Sequence, residues 1–260
     1  MRARFPFRLV PGLLAVVVLA LTGCRKDADV AAATGALNFT VSHVAGTQPL
    51  VLNGPAYATA AGETFTVSTF EYYLSNFRLT RADGSVYAAP NTYFLVNQAK
   101  PGSLSFRIQD IPAGSYTALS CLIGIDAPTT GLTDPNTFVG DLNQANGMYW
   151  TWNSGHIFLK LEGSVTSVNP ARPLVCHIGG YTDPFNAIVT ATPTLPGPLT
   201  VSETRTPTVS LQADVLKCFD GVSRVQLSTF SNGMMPGAEA LRVARDYGAG
   251  MLSVTKVQGD

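Results

Sequence analysis

The chain has 260 residues, with 17 Lys and Arg balanced by 17 Asp and Glu. No Lys/Arg cluster occurs outside the N-terminal leader, which argues against nucleic acid as a partner. Hydrophobic residues make up 46% and charged residues only 13%, and 24 glycines and 17 prolines interrupt short apolar runs, a composition of a loop-rich β protein and not of a helical bundle.

The leader comes first. Arg2, Arg4 and Arg8 precede an uncharged apolar run from Leu9 to Leu21 that is too short to span a bilayer comfortably, the pattern of an export signal over residues 1–23. Leu21-Thr22-Gly23-Cys24 resembles the bacterial lipobox, in which the cysteine is lipidated and begins the mature protein. The expected membrane association is therefore through acyl chains on Cys24 and not through a helix. Residues 24–36 lack apolar periodicity and read as a tether, followed by a single domain over 37–260. Without residues 1–23, 14 basic residues face 17 acidic ones, so the mature chain carries a charge near −3. Once Cys24 is committed to lipid, Cys121, Cys176 and Cys218 remain. An odd number allows at most one intramolecular bridge, and a small buried apolar role is the usual fate of a free cysteine.

Strands are predicted over 36–41, 64–67, 71–79, 92–96, 104–109, 114–123, 148–152, 156–162, 174–178, 187–192, 208–212 and 222–228. That number fits two packed sheets, so the expected fold is an all-β, two-sheet sandwich with long loops and a short C-terminal helix. Ala82-Asp83-Gly84 reads as a hairpin turn and Ile111-Pro112-Ala113-Gly114 as a turn feeding a strand. Residues 124–146 have neither strand nor helix period and exceed the usual loop length, as functional loops often do. Asp126, Asp134 and Asp141 in this segment offer oxygen ligands for calcium, but their spacing matches no EF-hand loop and turn capping accounts for them more simply. A short helix is predicted around Asp214-Val-Leu-Lys. A longer one begins at Pro236, with Glu239 in its first turn, Gly248 at its stop, and Ala240, Leu241, Ala244 and Tyr247 along one face.

Chemistry concentrates in Gly147–Gly163, which contains both tryptophans and one of only three histidines. Met148, Trp150 and Trp152 share one strand face, whereas after Gly155 the apolar parity moves to Ile157, Leu159 and Leu161. A bend at 153–155 would reconcile the two. It would also re-aim His156 toward the indoles, forming a site from thioether, aromatics and imidazole; otherwise the stretch is a core strand of the sandwich. No Gly-x-Ser-x-Gly elbow and no His-Glu-x-x-His is present, so the chain is not expected to be an enzyme. His43, His156 and His177 are the candidate metal donors. With Met148, Met234 or Met235 as soft partners, they form a donor set that copper prefers over calcium or magnesium. Cys176 and His177 are strand neighbours that must point to opposite faces, so only one of them can serve a given site.

Several of these stretches together are similar to the MbnP-like copper-binding family in its lipoprotein form. They are Phe39-Thr-Val-Ser-His43, Phe70-Glu-Tyr-Tyr-Leu-Ser-Asn-Phe-Arg-Leu79, Gly124-Ile-Asp126, Gly147-Met-Tyr-Trp-Thr-Trp-Asn-Ser-Gly155 with Ile157-Phe-Leu-Lys-Leu-Glu-Gly163, and His177-Ile-Gly-Gly180. The resemblance implies an envelope β domain that binds copper through histidines. It also implies that some members carry a tryptophan oxidised to kynurenine by a dihaem peroxidase-like partner, which makes Trp150 and Trp152 the residues to watch. His43 matches an N-terminal histidine position and His177 the His-Ile-Gly-Gly motif. Relatives usually have Tyr where this chain has His156, which either adds a ligand or replaces one polar tip with another. The alternative from another functional class is a non-catalytic surface module that offers Tyr149, Trp150 and Trp152 to a glycan or protein.

Overall fold

The computed structural model describes Met1 and residues 33–153, 155–230 and 233–259. The expected signal sequence, the lipidated Cys24 and most of the tether lie outside these residues. From Thr34 onward the chain forms two curled sheets, with one helix of more than a turn near the C-terminus.

The first sheet is built on strand Thr34–Ala45, three residues earlier than the expected domain start. Its alternation places Leu37, Phe39, Val41 and His43 on one buried face. It pairs in parallel with Thr208–Asp214 and antiparallel with Ser105–Pro112. Strand Leu252–Gln258, absent from the predicted elements, closes the outer edge against Thr208–Asp214. Only one of its seven residues is fully buried, so it carries little of the apolar signal that betrays a strand.

The second sheet is organised by Thr64–Thr80, which merges two predicted strands into one of 17 residues. Its inner face presents Phe70 and Tyr72, then Phe77 and Leu79. The parity change falls at Asn76, whose φ of 51° marks an irregularity where the register against Ala118–Ile123 shifts. Gly155–Val165 pairs with this strand on one side and with Arg172–Gly179 on the other. Gly114–Ile123, predicted as one strand, divides at Thr117. Gly114–Tyr116 pairs with Leu199–Val201, while Ala118–Ile123 joins the second sheet.

Aromatic rings fill the space between the sheets, with Phe39 5.0 Å from both Phe77 and Phe106. Cys121, Cys176 and Cys218 are all buried free thiols, so no bridge staples this core. Burial pushes the thiols of Cys121 and Cys176 up to about 12, which keeps them protonated and inert.

The predicted strand over 222–228 is not formed. Its backbone is held instead by side chains: Glu63 accepts from the Leu227 and Ser228 amides, and Arg172 donates to the Leu227 and Phe230 carbonyls. Val225 and Leu227 are buried as loop residues, which explains the strand-like apolar spacing. The predicted helices appear as a 3-10 turn at Val215–Cys218 and a helix at Ala238–Gly250. The latter runs two residues past Gly248 and buries Val243 where Leu241 was expected.

Gly163 lies at a register shift between Gly155–Val165 and Thr64–Thr80, and a Cβ there would overlap the Thr66 carbonyl. Gly163→Ala is expected to destabilise the domain by roughly 2–4 kcal/mol through forced separation of the two central strands. A urea midpoint that matches the wild type would refute this close approach.

Candidate metal centre

The segment after Ile123 does not hang free. Short helical turns at Ala127–Thr130, Pro135–Thr137, Gly140–Leu142 and Gln144–Asn146 fold it over the outer face of the second sheet. Each candidate calcium ligand is used by the chain itself, as the simpler expectation of turn capping has it. Asp126 accepts from the Thr129 amide and the Tyr93 hydroxyl, Asp134 from the Asn136 amide, and Asp141 from the Leu95 amide. These are the capping roles that aspartate favours in turns. The three aspartates are not gathered around a common point by any shared partner.

This cover buries the central strand on both faces, with every residue from Phe70 to Ser75 inaccessible. The outward polar groups are satisfied locally. Ser75 donates to the Gly124 carbonyl and Tyr73 to the Asp141 carbonyl. Glu71 accepts from the Asn97 amide at 2.5 Å and lies 3.6 Å from the Lys160 ammonium, which also donates to the Gly147 carbonyl. Lys160 stands in register with Glu71 on one side and His177 on the other, so a polar row crosses the sheet. His177 Nε2 donates to Glu162 Oε1 at 2.7 Å, and Thr69 donates to the second oxygen of the same carboxylate. Burial raises the Glu162 carboxyl, but these hydrogen bonds more than compensate and leave it below the ordinary value.

The three histidines occupy three environments. His43 faces the space between the sheets, where its Nδ1 donates to Gln98 Oε1 and its Nε2 accepts from the Tyr72 hydroxyl at 3.0 Å. Gln98 donates its amide to the Leu50 carbonyl, which orients its oxygen toward the imidazole and fixes that tautomer. His156 pairs across the strand with Tyr149 and lies edge-on to Tyr73, Phe138 and Tyr149. Its Nε2 donates to the Leu142 carbonyl and its Nδ1 accepts from Thr130. Ser154 of the bend expected near 153–155 lies outside the described residues, but Tyr149–Trp150 pairs antiparallel with Gly155–His156, and His156 meets phenols and a phenyl ring instead of the indoles. Only His177 directs an N–H to a carboxylate, which leaves Nδ1 as its lone-pair nitrogen. His43 and His177 lie on opposite sides of the second sheet and do not converge. Among the described residues no group of three or more His, Cys, Asp and Glu side chains is placed to hold a metal ion.

Two distant pieces of the chain pack against the 177–180 run. Its amide donates to the Gly233 carbonyl, and Gly233 in turn donates to Val175, so this short piece runs beside the strand. Pro236 then packs at Gly180, where an added Cβ would be 3.0 Å from its ring. Met234 and Met235, 49% and 59% exposed, therefore sit alongside the His177-Ile-Gly-Gly180 run. The Trp150 ring covers Gly179, where a Cβ would meet it at 2.7 Å, and Trp152 lies 5.7 Å from Trp150 with 60% exposure. Trp150 Nε1 is buried with no hydrogen-bond partner among the described residues. Met148 is buried in the core, away from solvent.

A family model described as MbnP matches residues 34–236, most of the chain. The chain belongs to the MbnP family. The solved structure "MbnP from Methylosinus trichosporium" is similar at 12% identity and a TM-score of 0.49, covering 87% of this chain and 99% of that one. No curated protein matches. MbnP membership supports an extracytoplasmic protein with a metal-related role. No helix among the described residues is long and apolar enough to cross a membrane. The motifs quoted from the sequence contain His177, Glu162, Lys160 and Glu71, but nothing local to Gln98 or Asn97 announces their part. Those two act only through pairing across the sheets.

Burial lowers the pKa of His43, His156 and His177 below the ordinary imidazole value near 6.5. The unfolded chain therefore binds more protons as pH falls through that value, and stability contributed by the neutral rings is present above it and lost below it. Urea midpoints are expected to fall between pH 7.5 and 5.5, and His156→Gln should flatten part of the decline. A midpoint independent of pH over that interval would contradict the neutral, desolvated state of these rings.

Proposed function

We propose that this MbnP-family chain is a lipid-anchored, non-enzymatic envelope protein that binds copper for acquisition, storage or handover, with His177 as its principal ligand. The observation that carries the reading is the Glu162 carboxylate on the His177 imidazole, in a strand whose backbone pairs with Gly233, so that the exposed Met234 and Met235 follow directly in the chain. Thioether and imidazole suit copper, especially Cu(I), better than they suit calcium or magnesium. Glu162 matters because a carboxylate on the far nitrogen orients a metal-binding imidazole and raises its basicity. Bound copper would supply storage or transfer of the ion, while the protein contributes orientation through Glu162 and shielding through Trp150. His43 and His156 are then structural, since hydroxyl groups already engage their lone pairs. Tryptophan oxidation, which the family resemblance implies through a dihaem peroxidase-like partner, would fall on Trp152 or Trp150 beside this site.

Titration with Cu(I) against a competing chromophoric chelator should show one ion per chain. His177→Ala and the pair Met234→Leu, Met235→Leu are expected to weaken binding by about a hundredfold or more. Glu162→Gln should cost about 10–100-fold, whereas His43→Ala should leave affinity near the wild-type value. Unchanged affinity in His177→Ala would overturn the assignment.

Anchoring rests on the lipobox-like run that ends at Cys24. In cells, Cys24→Ser is expected to move the protein from the membrane fraction to the soluble fraction, and the intact mass of the wild type should include acyl chains. A mature protein without added lipid mass would refute the anchor. A second reading, an aromatic platform for a glycan or protein, is favoured by the exposed Trp152 against Trp150. It would gain ground if Trp152→Ala abolished ligand capture while copper binding persisted.

A further inference from the structure

A groove of about 380 Å³ runs between the C-terminal helix and the loops at Phe185 and Val222. Its helical wall is formed by Ala238, Leu241, Arg242 and Arg245, which fall within one arc at 100° per residue. Val222 is 77% exposed and Phe185 39%, so the groove presents large apolar surface to water. Arg242 and Arg245 are both exposed, and neither takes part in a salt bridge among the described residues. The carboxylate nearest by position, Asp246, is fully buried and already accepts from the Ser223 amide and hydroxyl. Among the described residues Glu239, the helix's other acid, forms no salt bridge with Arg242 or Arg245.

Two unpaired guanidinium groups one turn apart beside aliphatic and phenyl surface are unusual on a mature chain with a charge near −3. We propose that this groove docks a segment of a protein partner that carries one or two carboxylates next to an aliphatic side chain. Charge complementarity decides the occupant. Arginine forks bind carboxylates in a bidentate manner, and the apolar walls take the neighbouring aliphatic group, the combination found at the centres of protein interfaces. A concave site suits an inserted side chain better than the broad surface of a bilayer. The Phe185 wall adjoins Gly180, whose added Cβ would meet both the Phe185 carbonyl and Pro236. A partner seated here would therefore stand close to the His177 strand edge, although docking does not depend on copper being bound.

Selection from a displayed library of random dodecapeptides on the mature protein tests this directly. Enrichment of Asp or Glu adjacent to Leu, Ile, Val or Phe is expected. A selected peptide should lose at least about tenfold in affinity to the R242A/R245A variant and weaken with added salt. Arg to Ala on an exposed helix face preserves helix propensity, so the thermal midpoint should hold. Val222→Ser on the opposite wall should weaken the same peptide independently. No enrichment, a neutral or basic consensus, or full affinity in R242A/R245A would overturn the proposal. So would arginine-dependent binding to phosphatidylglycerol vesicles without any selected peptide, which would assign the face to lipid.

Discussion

Burial of residues 70–75 of the 64–80 strand on both faces is the constraint from which the rest of the domain follows. Its inner face packs aromatic rings against the first sheet, as in any sandwich. Its outer face would be solvated in a simple antiparallel sheet, yet here the segment from Gly124 to Gly147 covers it. A strand buried twice cannot carry an unpaired polar side chain without a penalty of about 1–3 kcal/mol for each group. Glu71, Tyr73 and Ser75 therefore each find a partner in the covering segment or in a neighbouring strand. The long loop is thus a third layer, and its aspartates serve to hold that layer in shape.

The polar row beneath this cover also sets what the histidines can do. Glu71 and Glu162 flank Lys160, and the ammonium moderates what would otherwise be a concentration of negative charge beside His177. The imidazole is left with a carboxylate on one nitrogen. His43 and His156 sit in equally specific surroundings, but each is tied at both nitrogens by neutral groups. The rarity of histidine in the chain attracts attention to all three. The hydrogen-bond partners distinguish the rings: only His177 faces a carboxylate.

Gly179 and Gly180 link the two surfaces of interest. Without side chains they let Trp150 and Pro236 approach the strand closely, which draws the 233–236 piece and the start of the C-terminal helix to the same edge. Met234, Met235, Arg242 and Arg245 lie 57–68 residues beyond His177 in sequence, yet the chain that carries them returns to this strand.

Local sequence determined a good deal. The apolar run at 36–41 specified a strand, which the structure lengthens to Thr34–Ala45 so that it takes in His43, the Pro236 and Glu239 signals specified a helix, and the order of the motifs specified the family. Period and turn chemistry are local properties, so a sequence displays them. The tertiary structure alone decided that 222–228 is a loop held by Glu63 and Arg172, that 252–258 is an edge strand, and that 124–147 is a covering layer. It also decided that His43 and His177 lie on opposite sides of a sheet while Gly233 pairs with the strand that carries His177. Those outcomes depend on pairing between residues far apart in the chain, and the free energy of such contacts is not written in the local pattern of either partner.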